Sequence, residues 1–476
     1  MEAILKLLTA DPEKAIDKIR KTGSEKAEKI TNYRKEYVNH DRSLRKEQID
    51  KTQKDKKVGE GERSRTVTAV RIPVNFAKKI VQTSSSFEVG KPITLIPSEE
   101  NNLSVLIKKI WKINRVDNLI QKAVRLKKSE TQGAFQFYIQ PIKPSSILNK
   151  VLTQVGLKKQ NTEIKVKVLD NTKGTMTPYF DDFDDMILFM WEYTTVNSND
   201  KTIKNVRVWD KTNCYSYSDE SGKLDLQETK SHGFDRIPIV YTSQDEPEWF
   251  DVRELIDRYE TTLSKLGGSN DYSAYPILQI FGKIKDFPDK DENGKVLNFP
   301  IDVDPESGKP IHGEAKFVNA DNAVDSCKLE IETIESLIYS ISSTPNLSFD
   351  NVKGISSVSG IALKLMFLDA ITKASMNEGE NRTMIERIVN IIIGGVITST
   401  NTSMRSLSES LFYEIEFNSI LPDDLKEAAS IMTQLKSSGL VSTQTAVKQL
   451  DINPDTEEEL ELIKKENLNI GIKQKD

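Results

Sequence analysis

The stretch "GISSVSGIALKLMFLDA", residues 354–370, joins a run of small residues directly to a helix-forming run. Glycine and serine dominate its first half, at Gly354, Ser356, Ser357, Ser359 and Gly360. Its second half, together with the residue that follows it, carries apolar side chains at helical spacing, at Leu365, Met366, Leu368 and Ile371. Because glycine leaves the backbone mobile and an apolar stripe fixes a helix on a core, the stretch predicts a flexible loop on an anchored helical root.

Two helices are predicted before this stretch. The later one begins near residue 323 and carries apolar residues that alternate spacings of three and four, at Val324, Cys327, Ile331, Ile334, Ile338 and Ile341. The earlier one, over 252–266, has one stripe formed by Val252, Leu255, Ile256, Tyr259, Leu263 and Leu266. They bracket an insertion of roughly 50 residues rich in turn signals, and the simplest geometry is two antiparallel helices with a small β module at their far end.

The sequence before these helices predicts an α+β block. Two helical patterns, at 103–113 and 116–128, precede alternating strand segments such as "AFQFYIQPI", "TEIKVKVLD" and "MILFMWEYTT". This order indicates a mostly antiparallel sheet, which closes with "HGFDRIPIVYT", where Pro238 assigns the last strand to an edge or a strand end. Residues 11–65 are rich in charge and predict exposed helices ending in a loose linker.

Composition excludes several classes of function. Charged residues make up 29% of the 476 residues and nearly balance at a net charge of -5, so the chain does not coat nucleic acid by electrostatics alone. Only Cys214 and Cys327 are present and no leader pattern opens the sequence, which predicts a reducing intracellular environment. The longest apolar run, 388–398, is shorter than the roughly 20 residues of a membrane span, so no membrane contact is expected.

No catalytic or metal site is predicted. In "DKDENGKVLNFP" the spacing of Asp289, Asp291 and Asn293 fits a calcium loop, but Pro300 occupies the position of its essential glutamate, and Asn293-Gly294 favours a hairpin. The "DDFDD" run at 181–185 fits a nuclease metal site less well than an acidic loop. The three histidines lie far apart, and neither a G-x-x-x-x-G-K-[ST] nor a G-x-G-x-x-G motif occurs, so no cofactor is expected.

Five motifs, in this order, resemble the portal protein family of long-tailed double-stranded DNA bacteriophages, of the siphophage type. They are "YRKEYVNH", "RIPVNFAKKIVQTSSSFEVGKPI", "HGFDRIPIVYT", "DVRELIDRYETTLS" and "SSVSGIALKLMFLDAITKAS", and the resemblance covers roughly residues 33–462. The chain departs from the pattern at Asp235, where glycine is common. It also has Gly267-Gly268 where a continuous polar helix is usual, which leaves the end of the first stem helix open.

The resemblance implies a multi-domain α+β portal fold with a helical stem, an α+β wing, a small β-containing clip and a helical crown, assembled as a ring. The implied parts are a charged N-terminal helical arm (1–66), wing (67–250), first stem helix (251–270), clip (271–319), second stem helix (320–343), tunnel loop (344–360), long wing helix (361–395), wing strand return (396–420) and helical crown (421–476).

Site residues follow from this resemblance together with the sequence pattern. The tunnel loop would present Lys353, Ser356, Ser357 and Ser359 to DNA. The second stem helix would line the channel wall with Asp325, Glu332 and Glu335, although an outer, solvated face explains these carboxylates equally well. Stem packing and oligomer contacts would come from Val324, Ile331, Ile334, Ile338, Ile341, Leu255 and Tyr259.

The implied function is a channel at one capsid vertex through which double-stranded DNA is packaged, retained and ejected. The implied partners are further copies of the chain in a ring typically of twelve, the DNA, the large terminase motor, the major capsid and scaffolding proteins, and the head-tail adaptor. The implied location is the virion, with the host cytoplasm during assembly. Two alternatives are an enzyme of the packaging apparatus, either motor ATPase or nuclease, and a cellular scaffold protein.

Overall fold

A computed structural model gives the fold of the chain. It describes residues 2–38, 54–59, 61, 64–142, 162–273, 277–281, 302, 303, 306, 308–311, 314–318, 324–346, 364–421, 425–450, 460 and 462–465. The calcium-loop candidate at 289–300 and all of the predicted tunnel loop beyond Asn346 lie outside these residues.

The N-terminal segment buries one of its faces. It contains α1 (Glu2–Ala10), α2 (Pro12–Val38) and a hairpin of β1 (Lys56–Val58) and β2 (Arg65–Val67). Leu8, Ile16 and Ile19 are fully buried. The expectation of exposed helices is therefore wrong for this face, because the few apolar residues of the charged segment fall on one side of the helices.

Helices dominate the next part of the chain. Its elements are α3 (Phe76–Val89), β3 (Thr94–Pro97), α4 (Asn102–Ile113) and α5 (Val116–Glu130). The two helices predicted at 103–113 and 116–128 are confirmed. Asn101 and Ser104 form a capping box at the start of α4, and Arg115 separates α4 from α5 by adopting a left-handed backbone with φ of 51°.

The predicted antiparallel sheet is confirmed, but as two sheets. The strands are β4 (Gln132–Pro141), β5 (Thr162–Leu169), β6 (Gly174–Phe180), β7 (Met186–Val196), β8 (Thr202–Trp209), β9 (Asn213–Ser218), β10 (Asp225–Ser231) and β11 (Ile239–Ser243). Among the described residues, one sheet has the order β10-β9-β8-β7-β6 and the other β11-β4-β5. Strand β11 lies at an edge and begins directly after Pro238, as expected.

The two sheets and their helices form four layers. Along β7, Leu188 and Met190 face α1 and α2, whereas Phe189 and Trp191 face the three-stranded sheet, since side chains alternate along a strand. On the far side of that sheet, Phe135 and Phe137 of β4 pack in a large core with α4 and α5. Strand β7 is therefore buried on both faces, which explains its almost continuous apolar sequence.

A pair of helices follows the sheets. They are α6 (Arg253–Ser273) and α7 (Val324–Ile341), and between them lie β12 (Ile277–Phe281), β13 (Asp302–Val303), β14 (Pro310–Ile311) and β15 (Glu314–Val318). Strand β12 pairs antiparallel with β15, and β13 with β14. The α6 helix continues through Gly267 and Gly268. A Cβ atom at Gly267 would lie 3.1 Å from Ile72 Cδ1, so the missing side chain lets the 70–72 segment run close beside the helix.

The C-terminal part returns to the sheets. It contains α8 (Leu368–Gly395), a π-helical turn (Val396–Thr400), α9 (Arg405–Ser408), β16 (Tyr413–Glu416), α10 (Leu425–Ser437) and α11 (Thr443–Leu450). Strand β16 pairs antiparallel with β3. Helices α10 and α11 contact each other at the C-terminal side.

Packing in the core of the protein explains why the sequence of α8 is so apolar. Among the described residues, the stretch Leu368–Thr400 alone is long and apolar enough to cross a membrane by length and composition. Its apolar window is 56% buried inside the protein, and Ile385, Ile388 and Ile392 are fully buried. The helix lies against α3, α4, β11 and β16, with which it shares the main core.

The start of α8 differs from the sequence expectation. Leu365, Met366 and Leu368 were expected to anchor the helix, but they are exposed, at 64%, 48% and 52%. The buried residue is Phe367, whose ring centroid lies 5.8 Å from that of Phe87. The expectation was wrong because the chain forms a turn at Phe367, so the helical register of 364–366 does not continue into α8.

Gly394 and Gly395 allow a loop to dock on the end of α8. A Cβ atom at Gly394 would collide with the carboxylate of Asp235, and one at Gly395 would lie 2.5 Å from Cε1 of Phe234. Thr398 and Ser399 donate hydrogen bonds to the carbonyl oxygen of Gly233. Asp235, the departure from the family pattern, therefore packs against the helix and pairs with Arg236 at 2.8 Å.

Two glycine substitutions in α8 are expected to act in opposite directions. Gly395→Ala should lower the free energy of unfolding by about 1–3 kcal/mol, because the methyl group overlaps Phe234. Gly379→Ala should raise it by about 0.5–1 kcal/mol, because nothing lies within 4 Å of the added methyl group and alanine favours helix. Urea unfolding of both variants measures the difference, and equal effects would contradict the docking of the 232–236 loop.

Candidate functional site

Helices α6 and α7 run antiparallel. Arg258 pairs with Glu330 at 2.5 Å, whereas Ile338, further along α7, lies in one cluster with Val252 and Ile256, which are earlier in the chain than Arg258. Helix α3 crosses the base of the pair, since the Phe76 ring packs edge-on against Tyr259, with ring centroids 5.1 Å apart.

The residues predicted to pack in the stem differ in their exposure. Ile334 and Ile338 are buried, at 7% and 0% exposure. Ile331, Leu255 and Tyr259 are half-buried. The placement of the Val324 side chain lies outside what the structure describes, and Ile341 is 50% exposed.

Ile341 is thus half exposed at the end of the helix pair, and its predicted part in stem packing or oligomer contact stays a prediction. In the antiparallel register its neighbour would come from near Trp249, ahead of α6. Trp249 instead donates from Nε1 to Glu36 Oε2 at 3.1 Å and stacks on Tyr37. Among the residues that the structure describes, half of the Ile341 side chain therefore stays uncovered.

An apolar strip on α7 lies outside the helix pair. It is formed by Leu329, Leu337 and Ile341, which are 66%, 43% and 50% exposed. These positions span about a third of the helix circumference, next to the buried Ile334 and Ile338. We name them the outer strip of α7.

The predicted wall carboxylates lie on another side of α7. Asp325 and Glu332 are seven residues apart, so they share one side of the helix, and both are exposed. Lys328 Nζ lies 3.9 Å from a carboxylate oxygen of Glu332. Glu335 is half-buried. Burial of the two phenol groups, together with the nearby negative charge of Glu335, raises the pKa of Tyr259 and of Tyr339. Glu335 thus faces the tyrosines of the helix pair more than Glu332 does.

The predicted DNA-facing residues Lys353, Ser356, Ser357 and Ser359 lie outside the described residues, but the start of their segment is defined. Helix α7 ends with Ser343 in a left-handed conformation, φ 54°. The amide of Thr344 donates to the carbonyl of Tyr339 at 2.9 Å, and that of Ser343 to Ser340 at 3.1 Å. These two bonds form a Schellman cap, which ends the helix at a defined point.

A buried ionic cluster lies at the base of the helix pair, and sequence reasoning missed it. The ammonium group of Lys128 lies 2.7 Å from Glu88 and 3.1 Å from Glu248, and its side chain is only 2% exposed. Lys373 joins the cluster through Glu248 at 2.8 Å. The four residues come from α5, α3, the segment before α6, and α8.

Neutral side chains complete the cluster. Ser84 donates to Glu248 at 2.8 Å, and Asn377 and Asn381 donate to the two oxygens of Glu88 at 2.6 and 2.9 Å. Burial alone would raise the pKa of Glu248, but Lys128 and Lys373 outweigh it and lower that pKa to about 2. The sequence held one weak signal for this cluster: Lys128, Asn377 and Asn381 stand on helical faces that should otherwise be apolar.

A second polar contact ties α2 to the start of α6. Glu36 is 7% exposed and accepts from Trp249 and from Arg253. Tyr33 donates to Glu246 at 2.6 Å. The segment that leads into α6 is therefore held by α2 on one side and by the buried cluster on the other.

The metal hypotheses gain no support from the described residues. Within them, no group of three or more His, Cys, Asp or Glu side chains is arranged to hold a metal ion. In the "DDFDD" loop, Asp181 accepts from the amides of Phe183 and Asp185, both at 3.0 Å. One carboxylate of that loop therefore has a local structural role.

Comparison with known proteins places the chain in a family. The model of the family described as "Phage portal protein, SPP1 Gp6-like" matches residues 16–471. No curated protein matches the sequence.

Solved structures with a similar fold come from gene transfer agent (GTA) particles. The neck of an empty GTA particle is 10% identical, with a TM-score of 0.43, over 80% of this chain and 91% of that one. A native GTA virion and the neck of a native GTA particle, computed with C12 symmetry, are also 10% identical, with TM-scores of 0.38 and 0.37. They cover 79% and 80% of this chain, and 89% and 92% of their own.

Removal of the Glu248 charge should destabilise the protein strongly. Glu248→Gln leaves Lys128 without one of its buried partners and should cost about 3–5 kcal/mol in free energy of unfolding. The matched change Glu378→Gln breaks a surface pair in α8 with Arg382 and should cost less than about 1 kcal/mol. Chemical denaturation at pH 7 compares the two variants.

The pH dependence follows from the lowered pKa. Glu248 contributes stability above its unfolded pKa near 4.5, and this contribution is lost as pH falls towards about 2. The wild-type protein should therefore lose more stability than Glu248→Gln between these pH values. Parallel losses in both proteins would contradict the ionised state of Glu248.

Proposed function

Because the chain belongs to the SPP1 Gp6-like phage portal protein family, we propose that it assembles into a homo-oligomeric ring, with twelve subunits, at one vertex of a phage capsid. Double-stranded DNA would pass through the axial channel during packaging, be retained there, and leave at ejection. The observation that carries this proposal is the family match, which spans residues 16–471 and thus nearly the whole chain.

The outer strip of α7 supports the assembly into a ring. Leu329, Leu337 and Ile341 remain exposed after α6 and α7 have packed together. A contact between this strip and a different surface of the next subunit is heterologous, and heterologous contacts that close on themselves produce rings.

The parts of a portal subunit are assigned to the observed elements. Helices α6 and α7 would form the stem at 251–270 and 320–343, and the strands between them the clip at 271–319. The two sheets, helices α3 to α5 and α8 would form the wing at 67–250 and 361–420, preceded by the arm at 1–66, which contains α1 and α2. Helices α10 and α11 would belong to the crown at 421–476.

Contact with DNA would be weak and repeated around the ring. Asp325 and Glu332 would line the channel wall and repel phosphate, which keeps the DNA centred. The tunnel loop at 344–360 would approach the DNA with Lys353, Ser356, Ser357 and Ser359. One lysine per subunit provides a belt of positive charge that is too sparse for tight binding.

The remaining partners are proposed on the same basis. The large terminase motor would dock during packaging and the head-tail adaptor afterwards, while major capsid and scaffolding proteins surround the wing. The protein would reside in the virion and, during assembly, in the host cytoplasm. We propose neither an enzymatic activity nor a cofactor for it.

Electron microscopy of the purified chain tests the central proposal. Rings with a central hole are expected. Monomers or irregular assemblies would favour a cellular scaffold protein instead. Measurement of ATP hydrolysis and DNA cleavage on the same sample addresses the enzyme alternative, and turnover comparable to that of a packaging motor or nuclease would overturn the portal assignment.

Two substitutions in α7 separate folding from ring assembly. Ile334→Asp buries an unpaired charge and should cost about 3–5 kcal/mol of stability. Leu337→Asp lies on the outer strip and should leave the melting of the subunit unchanged but reduce the ring fraction. Ser336→Asp, on the side of the carboxylates, is the control for the added charge. If the Leu337→Asp protein still elutes as normal rings in size-exclusion chromatography, the outer strip is not part of the subunit interface.

Charge reversal tests the channel wall. Replacement of Glu332 and Glu335 by lysine should strengthen DNA binding by isolated rings and make it steeply salt-dependent, because each added lysine can release counterions from phosphate. Filter binding at several salt concentrations measures the effect. Unchanged DNA retention would place these carboxylates on the outside of the ring.

Deletion of residues 352–358 tests the tunnel loop. Rings should still assemble, because assembly would depend on stem and wing, but DNA packaging should fail. Lys353→Ala should cause a milder defect if charge matters. A packaging assay with the matching motor and procapsids distinguishes the cases: normal packaging by the deletion would contradict the loop assignment. A defect in the deletion without one in Lys353→Ala would contradict only the charge mechanism.

A further inference from the structure

Lys373 contacts the chain that enters one stem helix and the chain that leaves the other. Its Nζ lies 2.8 Å from a carboxylate oxygen of Glu248, shortly before α6. The same nitrogen donates at 3.0 Å to the carbonyl oxygen of Ser342, the residue after the last residue of α7. One ammonium group on α8 therefore joins the segment before the first stem helix to the end of the second.

The bond to Ser342 completes the end of α7. The last carbonyl groups of a helix have no partner within the helix, and a lysine can satisfy one of them and interact favourably with the helix dipole. Here the amides of Thr344 and Ser343 donate to the carbonyl oxygens of Tyr339 and Ser340, respectively. Lys373 donates to the carbonyl oxygen of Ser342. The hydroxyl of Ser342 also donates to Thr344 at 3.0 Å.

The other side of Lys373 is anchored in the wing. Glu248 is held by Lys128 and Ser84, and Lys128 in turn by Glu88. Asn377, one turn after Lys373 in α8, donates to Glu88. Helix α8 cannot slide relative to α3 and α5 without breaking these buried bonds.

We propose that Lys373 is a positioning residue that holds the end of the second stem helix against the wing, so that stem and wing act as one body while DNA passes. This inference rests on the proposed portal function, since it concerns a property of the assembled ring. A lysine that only neutralised Glu248 would have no need of the second bond to Ser342, which lies on a different part of the chain.

Three variants test this role in assembled rings. Lys373→Met removes the charge and both contacts. Lys373→Arg keeps the charge and several donors, and should restore much of the function. The control is Lys127→Met, since Lys127 also ties the wing to α8, through Glu380 at 2.5 Å, but does not reach α7.

Hydrogen exchange and DNA packaging are measured on the same rings. In Lys373→Met rings, exchange of the amides at 339–344 should accelerate by about 10-fold or more, because a charged hydrogen bond is lost. Exchange at 385–393, in the core of the wing, should stay unchanged. Packaging with the matching motor and procapsids should fall below that of wild-type rings, because a displaced stem would hinder DNA passage. Lys127→Met should match the wild type in both measurements.

The outcomes separate the inference from the proposed function. Unchanged exchange at 339–344 would show that Lys373 does not hold the end of α7. Accelerated exchange with normal packaging would show that Lys373 has no role in DNA passage. Accelerated exchange throughout the wing would show that Lys373 only stabilises the fold. Failure of wild-type rings to package DNA would contradict the portal function itself, while the exchange result would still decide whether the clamp exists.

Discussion

The pairing of buried Lys128 with Glu88 and Glu248 is the contact on which the arrangement of the sheets and of helices α6 and α7 depends. At 2% exposure, the ammonium group cannot stay charged without close partners, because transfer of an ion from water costs several kcal/mol. Its two carboxylates come from α3 and from the segment before α6, and Lys373 brings in α8. A shift of any one of these elements leaves a buried charge unpaired.

Directional contacts are needed at this place because apolar packing alone does not define an orientation. The hydrophobic effect scales with the area removed from water and is non-directional. The core of α3, α6 and α7 would tolerate several crossing angles, whereas the cluster and the contact of Glu36 with Trp249 and Arg253 permit few. The orientation of the α6–α7 pair relative to the sheets is therefore set by directional polar contacts.

Helix α7 presents three different surfaces, which suits a subunit of a ring. Ile334 and Ile338 face α6, the outer strip is apolar and exposed, and Asp325 and Glu332 form an acidic side. In a ring, every subunit has an inner side, two neighbours and an outer side. The faces of a helix in the ring wall therefore contact different surroundings. In the proposed assembly these are the partner stem helix, the next subunit and the channel.

The sequence by itself determined the elements of this protein and its family. Local patterns predicted α4, α5, α6, α7 and the strands β4, β5, β7 and β11, because apolar periodicity and turn residues act over a few positions. Only the tertiary structure decided that the charged N-terminal helices cover a sheet, that Leu365 and Leu368 are exposed, and that Ile341 lacks a partner in α6. It also brought Glu88, Lys128, Glu248 and Lys373 together. Glu88 and Lys373 are 285 positions apart, and no local pattern records which charges meet once the chain has folded.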